Sequence, residues 1–365
     1  MEFGKDLVVA IPRQISTFRF FEDWQKCGGG FKVIFYKKSF MPVYEEIISV
    51  DNLLEAWREF LRGKRNKKDV QEFGLRLMDN ILILYSELVN FEYSHGGYTA
   101  FNISDPKPRN IHKASVRDRL LHRAIYRKLY PFFDKVFIAD SFSCRLSKGT
   151  HKAINRFRKF GYKVSRNNTR TVWVMKCDIR KFFANIDHKV LLDVLKSYIS
   201  DEKIMRLFER VIGSFHSVRP GVGLPLGNLT SQLLVNIYMN EFDQFVKHKL
   251  KIGYYIRYAD DFVIFSENRE WLGELIPKIE EFLNEKLKLE LHPDKVSIKT
   301  LASGVDFLGW VNFIDHRVLR TATKRRMLVK LVADSRPEFL SSYFGLLKHG
   351  NTTRIRANIL EDYER

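Results

Sequence analysis

An α+β fold with carboxylates gathered at the ends of its core strands is the class this sequence predicts. Three observations carry the prediction. The stretch Gly253-Tyr-Tyr-Ile-Arg-Tyr258-Ala-Asp260-Asp261-Phe-Val-Ile-Phe265 sets aromatic and β-branched runs on either side of adjacent aspartates, the pattern of a hairpin with an acidic turn. A second apolar run, Val172–Cys177, ends at Asp178. Around both lie stretches with apolar residues at helical spacing. Adjacent carboxylates repel each other, and a hard, oxygen-liganded dication such as Mg²⁺ relieves that repulsion. A carboxylate closing a core strand is costly unless it is paired or holds a metal. An Asp-Asp pair alone is usually a solvated turn. The flanking strands and Asp178 upstream favour a metal site.

Composition narrows the function. The chain has 365 residues, room for two or three subdomains. It is 45% hydrophobic and 29% charged, which excludes a disordered chain. The net charge of +19 calls for a polyanionic partner. Residues 101–180 hold 20 Lys and Arg against 5 Asp and Glu, so most of the excess sits in one block suited to tracking phosphates. Cys27, Cys144 and Cys177 form no metal-like spacing, which points to a reducing, cytoplasmic setting without zinc. No signal pattern and no membrane-length apolar run is present, so no membrane partner is expected.

Taken in order, residues 1–43 carry Arg13, the aromatics Phe18, Phe20, Phe21 and Trp24, the run Gly28–Gly30 and a strand-like Lys32–Tyr36. The glycines lack the Gly-Lys-Ser/Thr of a phosphate loop and read as a turn. A first helix, capped by Asp51 or Asn52, turns Leu53, Leu54, Trp57, Phe60 and Leu61 inward, and the basic run Arg62–Lys68 ends it. A second helix is expected from about Asp69 to Leu88. Tyr98–Ile103 and Arg109–His112 then pair as a hairpin carrying Lys107 and Arg109. The helix Val116–Tyr130 sets Arg117, Arg119, Arg123 and Arg127 away from its apolar face, where phosphate contact is preferred over simple solvation. Thr150 is a cap for a basic helix through Phe160. Asp187 precedes an apolar-periodic run and reads as a helix cap, not a catalytic group; Cys177 reads as a small strand residue, not a nucleophile.

Downstream, Gly221–Gln232 is a loop-to-helix junction. Thr230 or Ser231 caps a helix through Lys249, and Gly227 lets backbone approach a ligand closely. Leu287–Leu291 reads as a strand leading to a turn that presents Lys295. Val305–Trp310 reads as a strand with Gly309 inside it, continuing past Asp315-His316 as a hairpin. Lys324-Arg-Arg326 falls on a helix, and Lys348-His-Gly-Asn351 lies near the end.

Tyr258-Ala-Asp260-Asp261, with Asp178 upstream, Gly227…Ser231 and Phe307-Leu-Gly309, occur in the order of the reverse transcriptase family, and the chain resembles that family from about residue 45 onward. The resemblance implies a right-hand polymerase with fingers (44–140), a ferredoxin-like palm (141–315) and a short helical thumb (316–365); residues 1–43 are an extension of unknown role. It implies that Asp178, Asp260 and Asp261 hold two Mg²⁺ ions, with Mn²⁺ able to substitute, and that Ile179 offers its backbone carbonyl. Lys295 resembles the lysine proposed to protonate pyrophosphate. Lys107 and Arg109 would grip the triphosphate, Phe183 would gate against a ribose 2′-hydroxyl, and Leu226 and Gly227 would line the dNTP site. Arg145, Ser231, Gln232, Tyr258, Gly309 and Trp310 would meet primer or template.

The departures point to a subfamily. Where most group II intron and retroelement enzymes carry Gln-Gly…Ser-Pro, this chain reads Leu226-Gly227-Asn-Leu-Thr-Ser231-Gln232. That variant, with Asp105-Pro-Lys-Pro-Arg109, Arg117-Asp-Arg119 and Lys348-His-Gly-Asn351, is similar to the reverse transcriptases of diversity-generating retroelements. The resemblance implies error-prone copying of a template RNA at adenines, with dNTPs, a primer and a small basic oligomeric accessory protein. The alternatives are a phage-defence or group II intron-like reverse transcriptase, or a polymerase fold kept as an RNA-binding scaffold. Intact carboxylates count against the scaffold.

Overall fold

The computed structural model describes Phe40 and residues 42–104, 108–333 and 336–364. Lys107, and the expectations for Arg13, the Phe18–Trp24 aromatics, Gly28–Gly30 and Lys32–Tyr36, lie outside them. The described chain begins with α1 (Tyr44–Ile48), α2 (Val50–Phe60), α3 (Lys68–Leu75) and α4 (Leu77–Val89). The hairpin β1 (Tyr98–Ile103) and β2 (Arg109–Ala114) follows, then α5 (Val116–Val136) and α6 (Thr150–Val164). After β3 (Trp173–Asp178) come α7 (His188–Lys196), α8 (Glu202–Gly213) and α9 (Leu229–Gln244). Next are β4 (Tyr255–Tyr258), β5 (Asp261–Ser266), α10 (Arg269–Leu287) and β6 (Ser297–Thr300). The chain closes with β7 (Val305–Phe307), β8 (Trp310–Asn312), β9 (Arg317–Leu319), α11 (Thr321–Ala333), α12 (Pro337–Leu347) and α13 (Thr353–Glu364).

The central sheet has strand order β4-β5-β3-β6, all neighbours antiparallel. In chain order its strands make a βαββαβ unit, the ferredoxin-like succession expected of a palm. Alternate residues feed opposite faces. Met175, Cys177, Phe262 and Ile264 pack with α9 and α10 through Tyr238, Phe242, Ile279 and Leu283. Val174, Val263 and Phe265 pack with Ile154, Phe157 and Phe160 of α6 and with Phe307 and Trp310 of the small β7-β8-β9 sheet. Met327, Leu347 and Ile359 of the last three helices join that second core. β3, β4 and β5 are therefore buried on both faces, which is why they read as continuous apolar runs, while β6 at the sheet edge is only partly covered.

Several element boundaries depart from expectation. Ser49, not Asp51 or Asn52, caps α2 by accepting from the Asn52 N–H at 3.2 Å. Asn52 is instead buried and donates to the carbonyls of Ile47 and Ala124. The helix expected over Asp69–Leu88 breaks at Arg76 (φ −121°, ψ 44°), and Asn80 Nδ2 takes the freed Phe73 carbonyl at 2.9 Å. Thr150 does not cap α6; Gly149 holds that position, and the Thr150 hydroxyl donates to Tyr258. Thr230 and Ser231 lie buried inside the first turn of α9, with Asn228 before it, and the regular helix gives way to a π-type turn at Phe245. Leu287 ends α10 rather than starting a strand; only an isolated bridge, Ile179 to Leu291, survives there. Gly309 is the turn between β7 and β8, not an interior strand residue, since Leu308 and Gly309 both have positive φ (53° and 85°). The sheet runs on to Leu319, so a boundary between palm and thumb at 315/316 would cut the β8–β9 turn. Asp187 does cap α7, accepting from the Val190 N–H at 3.0 Å.

Candidate active site

The central strand ends at Asp178, and the antiparallel register puts Asp261, the first residue of β5, directly across from it. Asp260 sits in the two-residue turn before β5, next to Ala259, whose φ of 56° is the left-handed value a tight hairpin demands. The Ile179 N–H donates to the Asp260 carbonyl at 3.2 Å, which ties the turn to the end of β3. Three carboxylates from two chain segments are thus brought together by backbone pairing alone.

Burial and mutual repulsion make their charges expensive. Burial is the first cause pushing the Asp261 carboxyl up to about 7; Asp260 and Asp178 push the same way, and the Lys176 ammonium pulls it back. Burial, then Asp178, raises Asp260 above the ordinary carboxylate range, while Lys295 and Arg109 oppose them. Lys295 donates to Asp178 Oδ1 at 2.7 Å from the short turn that follows the Ile179–Leu291 bridge. The His292 N–H holds the Asp178 carbonyl at 2.8 Å. A cleft of about 410 Å³ opens onto Asp178, Asp261, Lys295, Leu308, Gly309 and Arg320.

The donor set suits a hard divalent cation: charged oxygens, crowded, with too little positive charge among them. Among the described residues no three His, Cys, Asp or Glu side chains close into a metal-sized cage as they stand. Lys295 occupies Asp178 instead, so a cation would enter by exchanging with that ammonium.

The β1–β2 hairpin is tied to the loop before α9 by a clamp. The His112 N–H of β2 donates to the Leu226 carbonyl at 3.0 Å, and Asn228 Nδ2 returns a bond to the His112 carbonyl at 2.9 Å. Gly227 lies between them at φ +107°, and a Cβ there would stand 2.8 Å from Ile111. The glycine is needed because its φ is left-handed and the Ile111 side chain packs where a Cβ would stand. This clamp fixes the strand that carries the exposed Arg109. Phe183 follows Asp178 on a single 3₁₀ turn, half-buried, its ring 5.6 Å edge-on from Phe182 and its carbonyl accepting from the Leu224 N–H. Gln232 and Tyr258 are half-buried, and Tyr258 accepts from Thr150.

Three residues expected at primer or template are engaged in the interior. Arg145 is almost fully covered and bonds Asp134 Oδ1 (2.7 Å) and the carbonyls of Ile138, Ser141 and Asp134. Ser231 is buried in the first turn of α9, and the Trp310 ring is buried in the second core. The α5 arginines also differ from expectation. Arg117 pairs with Glu87, Arg119 with Asp69, and both Arg123 and Arg127 with Glu59. These acids on α2–α4 were unremarkable in sequence, so the stripe looked unpaired.

Sequence reasoning also missed what holds the aspartate turn. Arg257, fully buried in β4, pairs with Asp243 of α9 through Nε (2.8 Å) and Nη2 (2.7 Å). It also donates to Ala259 O, Ser141 Oγ and Asn236 Oδ1. One guanidinium thus braces the hairpin turn, α9 and the loop at Ser141. The signal was a lone arginine inside an apolar strand.

An antiparallel βαββαβ sheet with acidic residues at the ends of its two middle strands is the arrangement found in the palm of right-hand polymerases. The family model "Reverse transcriptase (RNA-dependent DNA polymerase)" matches residues 104–311, more than half of the chain. The chain belongs to that family, and its fold is the right-hand polymerase fold. Protein YkfC of Escherichia coli (strain K12) is 27% identical over 316 residues, covering 74% of this chain and 80% of that protein. The group II intron-encoded protein LtrA of Lactococcus lactis subsp. cremoris is 25% identical over 293 residues, covering 60% of this chain and 46% of LtrA. The chain therefore spans less than half the length of LtrA. Among solved structures, apo telomerase from Candida tropicalis, truncated from its C-terminal domain, superposes with a TM-score of 0.47 at 13% identity, over 63% of this chain and 55% of that one. Among the described residues no helix is long and apolar enough to cross a membrane.

Proposed function

We propose that the chain copies a template RNA into cDNA from a primer 3′-hydroxyl, with Asp178, Asp260 and Asp261 as the ligands of two divalent cations, Mg²⁺ first. The observation that carries this reading is the register pairing of Asp178 with Asp261 beside the Asp260 turn, in a chain of this family. Bound there, the cations would activate the 3′-hydroxyl and steady the departing pyrophosphate. The Ile179 carbonyl would complete the ligand set. Lys295 would release Asp178 and stand ready to protonate pyrophosphate. Arg109, with Lys107, would hold the triphosphate, and the half-buried Phe183 ring would meet a ribose 2′-hydroxyl and so select dNTPs. Residues 44–140 would serve as fingers, 141–319 as palm and 320–365 as thumb. The test is primer extension on an RNA template. Asp260→Asn is expected to lower extension by about 10³-fold or more while RNA binding holds, because a ligand to the cations that meet the transferring phosphate serves the transition state. Extension by the variant at the wild-type rate removes the assignment.

Within the family, our reading is a diversity-generating retroelement enzyme with a small basic accessory protein. It rests on Leu226-Gly227…Gln232 and Lys348-His-Gly-Asn351. A group II intron-like role is the second reading, favoured by the match to LtrA. Flanking DNA separates them: a paired template and variable repeat supports the first, and an intron supports the second.

A further inference from the structure

A second basic site lies on the far strand turn of the small sheet. A cavity of about 290 Å³ opens between the middle of α6, the β8–β9 turn and the loop joining α12 to α13. Arg158, Arg317, Lys348, His349 and His316 line it. Its one acid, Asp315, is bonded to His316 at 2.7 Å and is largely exposed. None of its lining residues is shared with the carboxylate cleft.

The pocket is built. Arg317 Nε donates to the His349 carbonyl and Nη2 to Asn155 Oδ1 at 2.9 Å, which locks the guanidinium in place. The Asn351 N–H donates to the Arg317 carbonyl at 2.8 Å. Gly350 lets this loop close down, since a Cβ there would fall within 2.1 Å of the Trp310 ring and 2.9 Å of the Arg317 carbonyl. So Lys348-His-Gly-Asn351, which the polymerase chemistry does not use, is what seats the pocket floor.

The locked guanidinium leaves Nη1 buried with no hydrogen-bond partner. A buried, unmatched donor on a cation is costly. Like charges add to the cost. Burial and the neighbouring Arg158 lower the Arg317 pKa, and burial, His151 and Arg317 lower that of His349. No carboxylate among the described residues pairs with Arg158 or Arg317. Cations crowded around an unmatched donor are stabilised by an anion with several acceptor oxygens.

We propose that the pocket framed by Arg158, Arg317, Lys348 and His349 binds a phosphate group, supplied by the backbone of a bound nucleic-acid strand. A free phosphate would meet the same cations, and the experiment separates the two sources. The nucleic-acid source rests on the polymerase reading above; the anion site itself does not.

The test uses the full chain and the double variant Arg158→Gln/Lys348→Gln, whose side chains are exposed and whose fold should hold. Binding to an RNA template annealed to a DNA primer is measured across a salt series without dNTPs. A strand phosphate in the pocket predicts that the slope of log K against log salt falls by about 1 in the variant. Thermal shift with millimolar inorganic phosphate, against chloride at equal ionic strength, is the second arm. A phosphate-dependent rise in wild type that the variant loses, with an unchanged slope, keeps the site and assigns it to free phosphate. An unchanged slope together with equal phosphate responses overturns the proposal. If the double variant melts earlier in chloride alone, Lys348→Gln by itself repeats both arms. Primer extension is read separately: a wild type that binds but never extends would sink the polymerase reading and leave the slope interpretable.

Discussion

Leu226 shows how one residue can be placed by the fold and still be open in function. Its carbonyl is half of the clamp on β2, and that role any residue could fill. Its side chain has neither donor nor acceptor, where the family's usual glutamine has both. On the proposed reading, in which this side chain lines the dNTP site, the missing polar group would weaken the penalty on a mispaired base, and one hydrogen bond of this kind matters about tenfold. Leu226→Gln is therefore expected to lower misincorporation by about that factor, most visibly opposite template adenine. Single-nucleotide incorporation opposite each RNA base checks it; equal error spectra would confine Leu226 to the clamp. Legibility at this scale followed local chemistry. Asp178, Asp260 and Asp261 could be found because charge at the end of an apolar run is conspicuous. The Arg257–Asp243 pair could not, because its partners lie on different elements and only the fold brings them to 2.7 Å.

Among the elements, β3, β4 and β5 were legible because both faces are buried, whereas the partly exposed β6, the caps and the breaks were not. A cap depends on which of several adjacent polar residues the entering chain orients, so Ser49 outcompeted Asp51 and Asn52. The same limit explains α5, whose arginine stripe faces acids from α2, α3 and α4 rather than solvent. This changes what a mutation there should do. Arg123 and Arg127 share Glu59, and their side chains are only 24% and 27% exposed. Each pair is worth about 0.5–1 kcal/mol. Arg123→Gln/Arg127→Gln should thus lower the unfolding free energy by roughly 1–2 kcal/mol in urea melts. The salt slope of RNA binding should stay as in wild type. A slope reduced by about 2 with stability intact would return the stripe to phosphate contact.

At the level of the whole molecule, the carboxylate site is a strain on the fold that a metal would remove. Two strands and a turn converge to set three acids together, and the sheet that does so is held from both faces. Asp261 registers the cost, since its carboxyl is raised from 3.8 to about 7. A carboxyl raised on folding favours the folded chain below its unfolded value, and that contribution is lost as pH rises through the folded value. The metal-free chain should therefore lose stability between about pH 4 and pH 7 through this one group. A divalent cation reverses the sign, because it needs the ionised carboxylate and competes with the proton. Mg²⁺ should accordingly raise Tm more at pH 8 than at pH 5, with a proton released on binding near neutrality. Asp261→Asn removes the titrating group, so its Tm should depend less on pH over this window and respond less to Mg²⁺. Tm of both proteins, with EDTA and with Mg²⁺ at each pH, is the measurement. A Mg²⁺ response equal at both pH values, or equal in the variant, would mean that Asp261 neither holds the cation nor carries the raised proton.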